Sequence, residues 1–250
     1  MTSRLKLQRR ALYFITPSVG TAVSAQQLPQ VVVDAIRGGA DLVQWRQKPS
    51  HADLAALPEL RALWDSHRDA FLLPVAREIR AIAKEHDVPF IVNDSIDLAL
   101  QLDADGVHVG QSDAALTQVL EKIKISGAQA DFIIGVTVRD GIQARAACEG
   151  GATYLGAGPV FTSNTKPEAN NGNTIGIDGL RDCTKVARSY GVPVYAIGGL
   201  AVENGRVRQC VEEGGAAGVS MIAAIASASD KEAAARAIKN ELDSALAAQQ

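Results

Sequence analysis

Residues 89–111 read PFIVNDSIDLALQLDADGVHVGQ. An apolar run, Pro89–Asn93, gives way to a stretch with apolar residues three and four apart, Ile96–Leu102, and then to a second apolar run, Gly106–Gln111. Runs of this length without polar alternation predict strands buried on both faces, as in a parallel sheet. The stretch between them predicts the helix that carries the chain from one strand to the next.

The same rhythm extends in both directions. Predicted strands are Ala11–Thr16, Asp41–Gln47, Pro89–Asn93, Gly106–Gln111, Asp131–Val138, Tyr154–Val160, Pro193–Gly198 and Gly218–Ala223. Predicted helices are Gln27–Arg37, Ile96–Leu102, Asp113–Lys124, Gly141–Glu149, Ile177–Tyr190, Val202–Glu213 and Lys231–Ala247. Several end in glycine before the next strand, at Gly38–Gly39, Gly150–Gly151, Gly191 and Gly214–Gly215, where a left-handed cap turns the chain back. Eight such units are the number that closes a (β/α)₈ TIM barrel, whereas an open doubly wound sheet usually has about five or six strands. The expectation is one α/β barrel domain over residues 1–250.

One segment breaks the period. Between Lys48 and Pro89, Ala56–Asp69 and Val75–His86 both read as helical, with Phe71, Leu72, Leu73 and Pro74 as the break. This predicts a helical insertion at about residues 50–75 in the second βα unit, packed outside the barrel through Leu60, Leu63, Trp64 and Phe71. It reads either as a surface helix pair or as a lid or partner surface.

Composition narrows the function. Lys and Arg number 25 against 28 acidic residues, a net charge of −3, so a general nucleic-acid binder with a basic face is excluded, while a local anion site is not. No stretch approaches the roughly 18 apolar residues of a membrane helix, and Ala11–Pro17 is too short for a secretory core. Cys148, Cys183 and Cys210 are odd in number and far apart, as in a cytoplasmic protein with reduced thiols used as buried filler. Small-molecule substrates are the expected partners, and whether the chain self-associates is left open.

In a barrel the active site lies where the C-terminal strand ends and their loops gather. Polar residues that the apolar runs do not explain fall there: Gln44, Arg46 and Lys48; Asn93 and Asp94; Gln111 and Asp113; Thr137; Ser163, Thr165 and Lys166; and the Gly198–Gly199 pair. Any one could be a helix cap, as Ser112 or Asp113 would be on its own. Their recurrence at successive strand ends points to a site. Asp94 and Asp113 are hard oxygen ligands suited to Mg²⁺ held by one or two carboxylates plus substrate phosphates. Arg46, Lys48 and Lys166 suit phosphate or pyrophosphate. Gly199 and the Ile222–Ala223 backbone can offer N–H groups to a phosphate, as loops after strands seven and eight commonly do. Two anionic substrates, or one bisphosphate, would fill such a site.

No GxSxG elbow, HExxH or Walker loop is present. His108 alone of the histidines lies on a predicted strand, either as an interior residue bonded to its neighbours or as a substrate contact. Leaving-group stabilisation fits this inventory better than base catalysis.

At these residues the chain resembles the thiamine phosphate synthase family. The matching stretches are LYFITP at 12–17, VQWRQK at 43–48, PFIVNDSIDLAL at 89–100, DGVHVGQSD at 105–113, IIGVTV at 133–138, YLGAGPVFTSNTKP at 154–167, PVYAIGG at 193–199 and GVSMIAAI at 218–225. The ordered set VND, GQxD and GPVFxxxTK carries most of the specificity. The resemblance implies a transferase of thiamine biosynthesis that condenses a hydroxymethylpyrimidine pyrophosphate with hydroxyethylthiazole phosphate, by Mg²⁺-assisted dissociative loss of pyrophosphate. It implies Gln44, Arg46, Lys48 and Asn93 on the pyrimidine pyrophosphate, Asp94 and Asp113 on Mg²⁺, and Lys166 on the departing pyrophosphate. Ser163, Thr165, Gly199 and the Ile222–Ala223 backbone would cradle the thiazole phosphate. A pyrimidine carbocation captured by the thiazole nitrogen needs no general base.

Three positions depart from the family pattern. Thr137 and Ser163 exchange one hydroxyl residue for another, and Ala223 stands where a serine is usual. The loop Glu168–Thr174 reads either as a closing lid or as plain surface. Two other functions share the barrel: a thiazole tautomerase and a catalytically silent thiamine-phosphate binder. The joint presence of Asp94, Asp113 and Lys166 argues against both, since neither needs a metal–pyrophosphate clamp.

Overall fold

Eight short strands pair in parallel in sequence order, and the last pairs with the first, so the sheet closes on itself. They are β1 Ala11–Ile15, β2 Leu42–Trp45, β3 Phe90–Asn93, β4 Gly106–Val109, β5 Ile133–Val138, β6 Tyr154–Ala157, β7 Val194–Ile197 and β8 Gly218–Met221. The computed structural model describes residues 7, 11–20, 22–49, 51–56, 58–110, 113–127, 131–162 and 173–248, the side chains at 51–52, 58–60, 63–70 and 113–115 excepted. The helices are α1 Leu28–Arg37, α2 His51–Ala56, α3 Pro58–Glu85, α4 Ile96–Gln101, α5 Asp113–Ser126, α6 Gly141–Glu149, α7 Gly176–Arg188, α8 Arg206–Glu212, α9 Ala223–Ala226 and α10 Lys231–Ala247. The (β/α)₈ barrel expected from the eight apolar runs is the observed architecture.

The strands read as continuously apolar because both faces are buried in different places. Leu12, Phe14, Val43, Trp45, Val92, Ile134, Val136 and Leu155 point outward into the layer shared with the helices. Their alternates Tyr13, Leu42, Ile91, Ile133, Tyr154 and Tyr195 form a separate cluster on the barrel axis. The helices supply the matching stripe. Leu28, Val31, Val32 and Ala35 of α1 are buried at helical spacing, as are Leu180, Cys183, Thr184 and Ala187 of α7. All three cysteines are buried, and burial pushes the Cys183 and Cys210 thiols up to about 12, which keeps them protonated.

The segment after Lys48 differs from the expectation. A single helix, α3, runs unbroken through residues 71–74, where the sequence suggested a break, and a short helix, α2, precedes it. Pro74 lies inside α3 at an exposed position. Its ring fixes φ at a helical value, and the carbonyl one turn earlier, deprived of its donor, can bond to water on that side. Below it, Leu72, Ala76, Ile79 and Ala83 are buried, and Phe71 is packed against the core. Leu60, Leu63 and Trp64 lie outside the described side chains. Two smaller differences bear on the site. Helix α8 starts at Arg206 rather than Val202, because Asn204 and the left-handed Gly205 (φ 68°) form a turn. The alanine-rich run after Met221 forms a four-residue helix, α9, which the strand pattern concealed.

Pro74→Ala should restore one hydrogen bond and remove a steric clash in α3. The expected gain is on the order of 1–3 kcal/mol, less up to about 1 kcal/mol for the freer unfolded chain. A urea midpoint that rises with an unchanged m-value would show it; a fall would mean that the helix needs a bend here to seat Leu72.

Candidate active site

A cavity of about 630 Å³ opens at the C-terminal ends of the strands. Of the residues expected at the site, Gln44, Arg46, Lys48, Asn93, Asp94, Thr137, Gly199, Ile222 and Ala223 all line it. Asp113 begins α5 directly after the β4 loop, but its side chain is outside the described set. Ser163, Thr165 and Lys166, with residues 168–172 of the suspected lid, also lie outside the described residues.

The charged wall is built by the end of β2 against the loop after β1. The Arg46 N–H donates to Thr16 Oγ1 (3.0 Å), and the Lys48 N–H donates to Ser18 Oγ (2.8 Å). Gln47 reaches back as well: its Nε2 donates to the Pro17 carbonyl (3.1 Å) and its Oε1 accepts from the Val19 N–H (2.8 Å). Arg46 and Lys48 therefore leave a braced backbone on the same side. Burial lowers the Arg46 guanidinium from its ordinary value, an effect that Asp94 opposes, and an arginine keeps its charge under such a shift. Lys48, beyond the end of β2, forms an ion pair with Asp94, beyond the end of the neighbouring β3. Their side chains are 55% and 46% exposed, so the pair contributes at most about 1 kcal/mol and its members are free to take other partners.

Asp94 is a strained residue. Its φ is +64°, a left-handed conformation that costs a non-glycine residue about 1–2 kcal/mol, and its N–H donates to the His108 carbonyl (2.7 Å). The turn lets Ser95 cap α4, accepting the Leu98 N–H, while the Asp94 carboxylate stays in the cavity wall. Backbone strain held beside a pocket is often tied to function.

Beneath the cavity runs a chain of hydrogen bonds that the sequence did not reveal. Gln44 Nε2 donates to the Tyr13 hydroxyl at 2.7 Å, and that hydroxyl meets the Tyr154 hydroxyl at 2.7 Å. Tyr154 meets His108 Nδ1 at 2.8 Å, and His108 Nε2 meets Thr137 Oγ1 at 2.9 Å. The amide sets the direction. Tyr13 accepts from Gln44, so its own proton goes to Tyr154, and the Tyr154 proton goes to His108 Nδ1. His108 is then the neutral Nε2–H tautomer, and it donates to Thr137, whose hydroxyl proton remains for the cavity. Gly135 makes room for this chain: a Cβ there would lie 2.1 Å from Tyr154 Cζ and 2.5 Å from His108 Nδ1. The available signal was tyrosine and glycine at inward positions of apolar strands, but which of them meet depends on barrel closure.

The opposite wall is backbone. Gly198 and Gly199 take φ of 103° and 69°, and a Cβ on Gly199 would lie 2.4 Å from the Thr162 carbonyl oxygen. Only glycine permits both the conformation and the approach. The turn is bonded to the β6 loop through Phe161 N–H to the Gly198 carbonyl (3.1 Å). Arg206, which the sequence reading overlooked, lines this wall with Asn204.

Comparison with known proteins bears on the family and the fold. The profile of a family described as thiamine monophosphate synthase matches residues 12–225. The thiamine-phosphate synthase of Geobacillus thermodenitrificans is 39% identical over 238 residues, spanning 95% of this chain and 94% of that one. Its counterpart in Bacillus mycoides is 38% identical over 237 residues, 94% of each chain. Among solved structures, the thiamine phosphate pyrophosphorylase of Pyrococcus furiosus aligns with a TM-score of 0.69 at 28% identity, covering 97% of this chain and 99% of that one. A 3-hexulose-6-phosphate synthase, with a TM-score of 0.61 at 17% identity over 92% of this chain and 99% of that one, shares the fold alone.

The buried tyrosines make stability sensitive to alkali. Burial raises the hydroxyls of Tyr13, Tyr154 and Tyr195 well above the ordinary value. In the unfolded chain they ionise near pH ~10, so the stability they contribute is complete below that pH and is lost as pH rises beyond it. The expected loss approaches about 4 kcal/mol per pH unit for three groups, and Tyr154→Phe should remove about a third of that slope. At neutral pH the same variant should cost about 1–3 kcal/mol, because the Tyr13 hydroxyl and His108 Nδ1 lose their partner. Urea melts between about pH 8 and 11 measure both effects, and a slope unchanged in the variant would contradict the assignment.

Proposed function

The chain belongs to the thiamine monophosphate synthase family, and from that premise we propose that it joins a hydroxymethylpyrimidine pyrophosphate to hydroxyethylthiazole phosphate and releases pyrophosphate. The carrying observation is the division of the cavity: Arg46, Lys48 and Asp94 on one wall, Gly199 and the Ile222–Ala223 backbone on the other. A volume of about 630 Å³ lies in the range of small-molecule sites and leaves room for two compact substrates side by side.

In this reading the pyrophosphate lies against Arg46 and Lys48, with Gln44 and Asn93 orienting the pyrimidine. Thr137 offers its hydroxyl proton to the same substrate. The thiazole phosphate sits at the glycine wall, where the Ala223 and Ala224 N–H groups precede the first hydrogen bond of α9, from the Ile225 N–H to the Ile222 carbonyl. Ser163, Thr165 and Lys166 would approach from the β6 loop. The C–O bond between the pyrimidine methylene and the pyrophosphate breaks, with both electrons leaving on oxygen. The thiazole nitrogen then gives its lone pair to the methylene carbon, and thiamine phosphate results. Cations placed on the leaving group stabilise the charge that develops there, and the chemistry asks for no base.

The residues present suit Mg²⁺. Asp94 is a hard oxygen donor at the cavity mouth beside the proposed pyrophosphate, with Asp113, at the start of the helix after the next strand, as the second carboxylate. One or two carboxylates plus substrate phosphates are a sufficient ligand set for Mg²⁺. Bound there, the ion would neutralise charge on the departing pyrophosphate. No described helix is long and apolar enough to cross a membrane, and we take the cytoplasm as the site of action.

The purified chain, given both substrates, should form thiamine phosphate with Mg²⁺ and none with EDTA. Folded protein that binds thiazole phosphate yet makes no product with Mg²⁺ would point instead to the tautomerase or the silent binder. Asp94→Asn should lower kcat by about a hundredfold or more and weaken the Mg²⁺ dependence without unfolding the barrel. Near-normal turnover would remove it from the metal site. Lys166→Ala should slow a single turnover more than it weakens thiazole phosphate binding, and an unchanged single-turnover rate would refute its role on the leaving group.

A further inference from the structure

We propose that Arg206 binds the phosphate of the thiazole substrate, supplying the side-chain charge that the glycine wall lacks; this rests on the substrate placement given above. The turn before α8 aims the residue. Asn204 Oδ1 accepts the Arg206 N–H (3.1 Å), and Gly205 at φ 68° swings the chain so that the side chain returns along the Gly198–Gly199 turn. There Nη1 donates to the Gly199 carbonyl at 2.8 Å, and the guanidinium lies over the Phe161 ring, 4.5 Å from its centroid. One hydrogen bond and one cation–π contact hold the group on two sides.

That leaves most of its five N–H donors without a protein acceptor among the described residues. The contrast with Arg208, two residues on, is direct. Arg208 meets Glu212 at 2.7 Å and Glu241 at 2.9 Å, as a structural arginine does. Among the described residues no carboxylate pairs with Arg206, although it is half-buried in the cavity wall. A half-buried cation without a counter-charge is favoured when an anion joins it, and a guanidinium fork matches phosphate oxygens.

The neighbours strengthen the assignment. The side chains of Gly199, Leu200, Ala201, Ile222, Ala223 and Ala224 on this wall carry no donor at all. Backbone N–H groups can orient a phosphate there, but a dianion brings two charges, and Arg206 is the described cation nearest to hand on that wall. The Gly199 carbonyl holds Arg206 at the wall where the proposed phosphate lies.

The test compares hydroxyethylthiazole phosphate with its unphosphorylated alcohol, titrated by calorimetry into the parent protein, Arg206→Gln and Arg206→Lys. Glutamine can still donate to the Gly199 carbonyl but has no charge. Arg206→Gln is expected to bind the phosphate about tenfold more weakly and the alcohol unchanged, and Arg206→Lys to keep most of the affinity. In turnover, KM for thiazole phosphate should rise with Arg206→Gln while KM for the pyrimidine pyrophosphate stays within about twofold. Parent-like phosphate affinity in Arg206→Gln would overturn the proposal, and so would an equal loss for phosphate and alcohol, which would mark a merely structural role. A parent chain that makes no thiamine phosphate but shows the phosphate-specific loss would retire the synthase reading and leave Arg206 as a phosphate ligand.

Discussion

Tyr13, Tyr154 and Tyr195 meet on the barrel axis with ring centroids 5.3 to 6.1 Å apart, and their hydroxyls have no water to turn to. A buried phenol without a partner costs on the order of 1–3 kcal/mol, so the arrangement survives only if each finds one. Tyr195 bonds downward to the Leu7 carbonyl at 2.6 Å. Tyr13 and Tyr154 bond to each other and pass the obligation upward to Gln44 on one side and to His108 and Thr137 on the other. Five strands are thereby joined through their side chains as well as through the sheet. Glycines facing the axis are the other half of the same constraint, since a Cβ at Gly135 or Gly218 would collide with a tyrosine ring.

This interior network reaches the site without a break. Gln44 and Thr137 are the upper ends of the chain and also line the cavity, so the packing of the axis decides which protons they present. Arg46 and Lys48 are held differently, through a backbone tied to the β1 loop. The lower half of the barrel is therefore buried, hydrogen-bonded and neutral, while the mouth carries charges, with the Lys48–Asp94 pair half exposed. An exposed ion pair on a braced backbone is weak enough to be exchanged for other partners without disturbing its supports.

Much of this was legible in residue order. Apolar runs separated by amphipathic stretches mark a parallel sheet covered on both faces, their number, eight, marks a closed one, and the polar residues interrupting those runs gather at their C-terminal ends, which is the mouth. Gln44, Arg46, Lys48, Asn93, Asp94, Thr137 and Gly199 were each visible as a polar residue or glycine out of place in its run, and each lines the cavity. Pro74 misled, because a proline on the exposed side of a long helix costs too little to end it once Leu72, Ala76 and Ile79 are buried on the other. Arg206 was overlooked because in sequence it is one more basic residue inside the helix predicted over Val202–Glu213.

Periodicity therefore pointed to the barrel and to the end at which the cavity opens, since both follow from local spacing and from the burial of whole faces. Only the tertiary structure decided that Tyr13, Tyr154 and His108 form one chain, that Arg206 turns back over Phe161, and that Lys48 reaches Asp94. Those contacts join residues separated by as many as 141 positions. Their distances are set by barrel closure and side-chain packing, which no local pattern encodes.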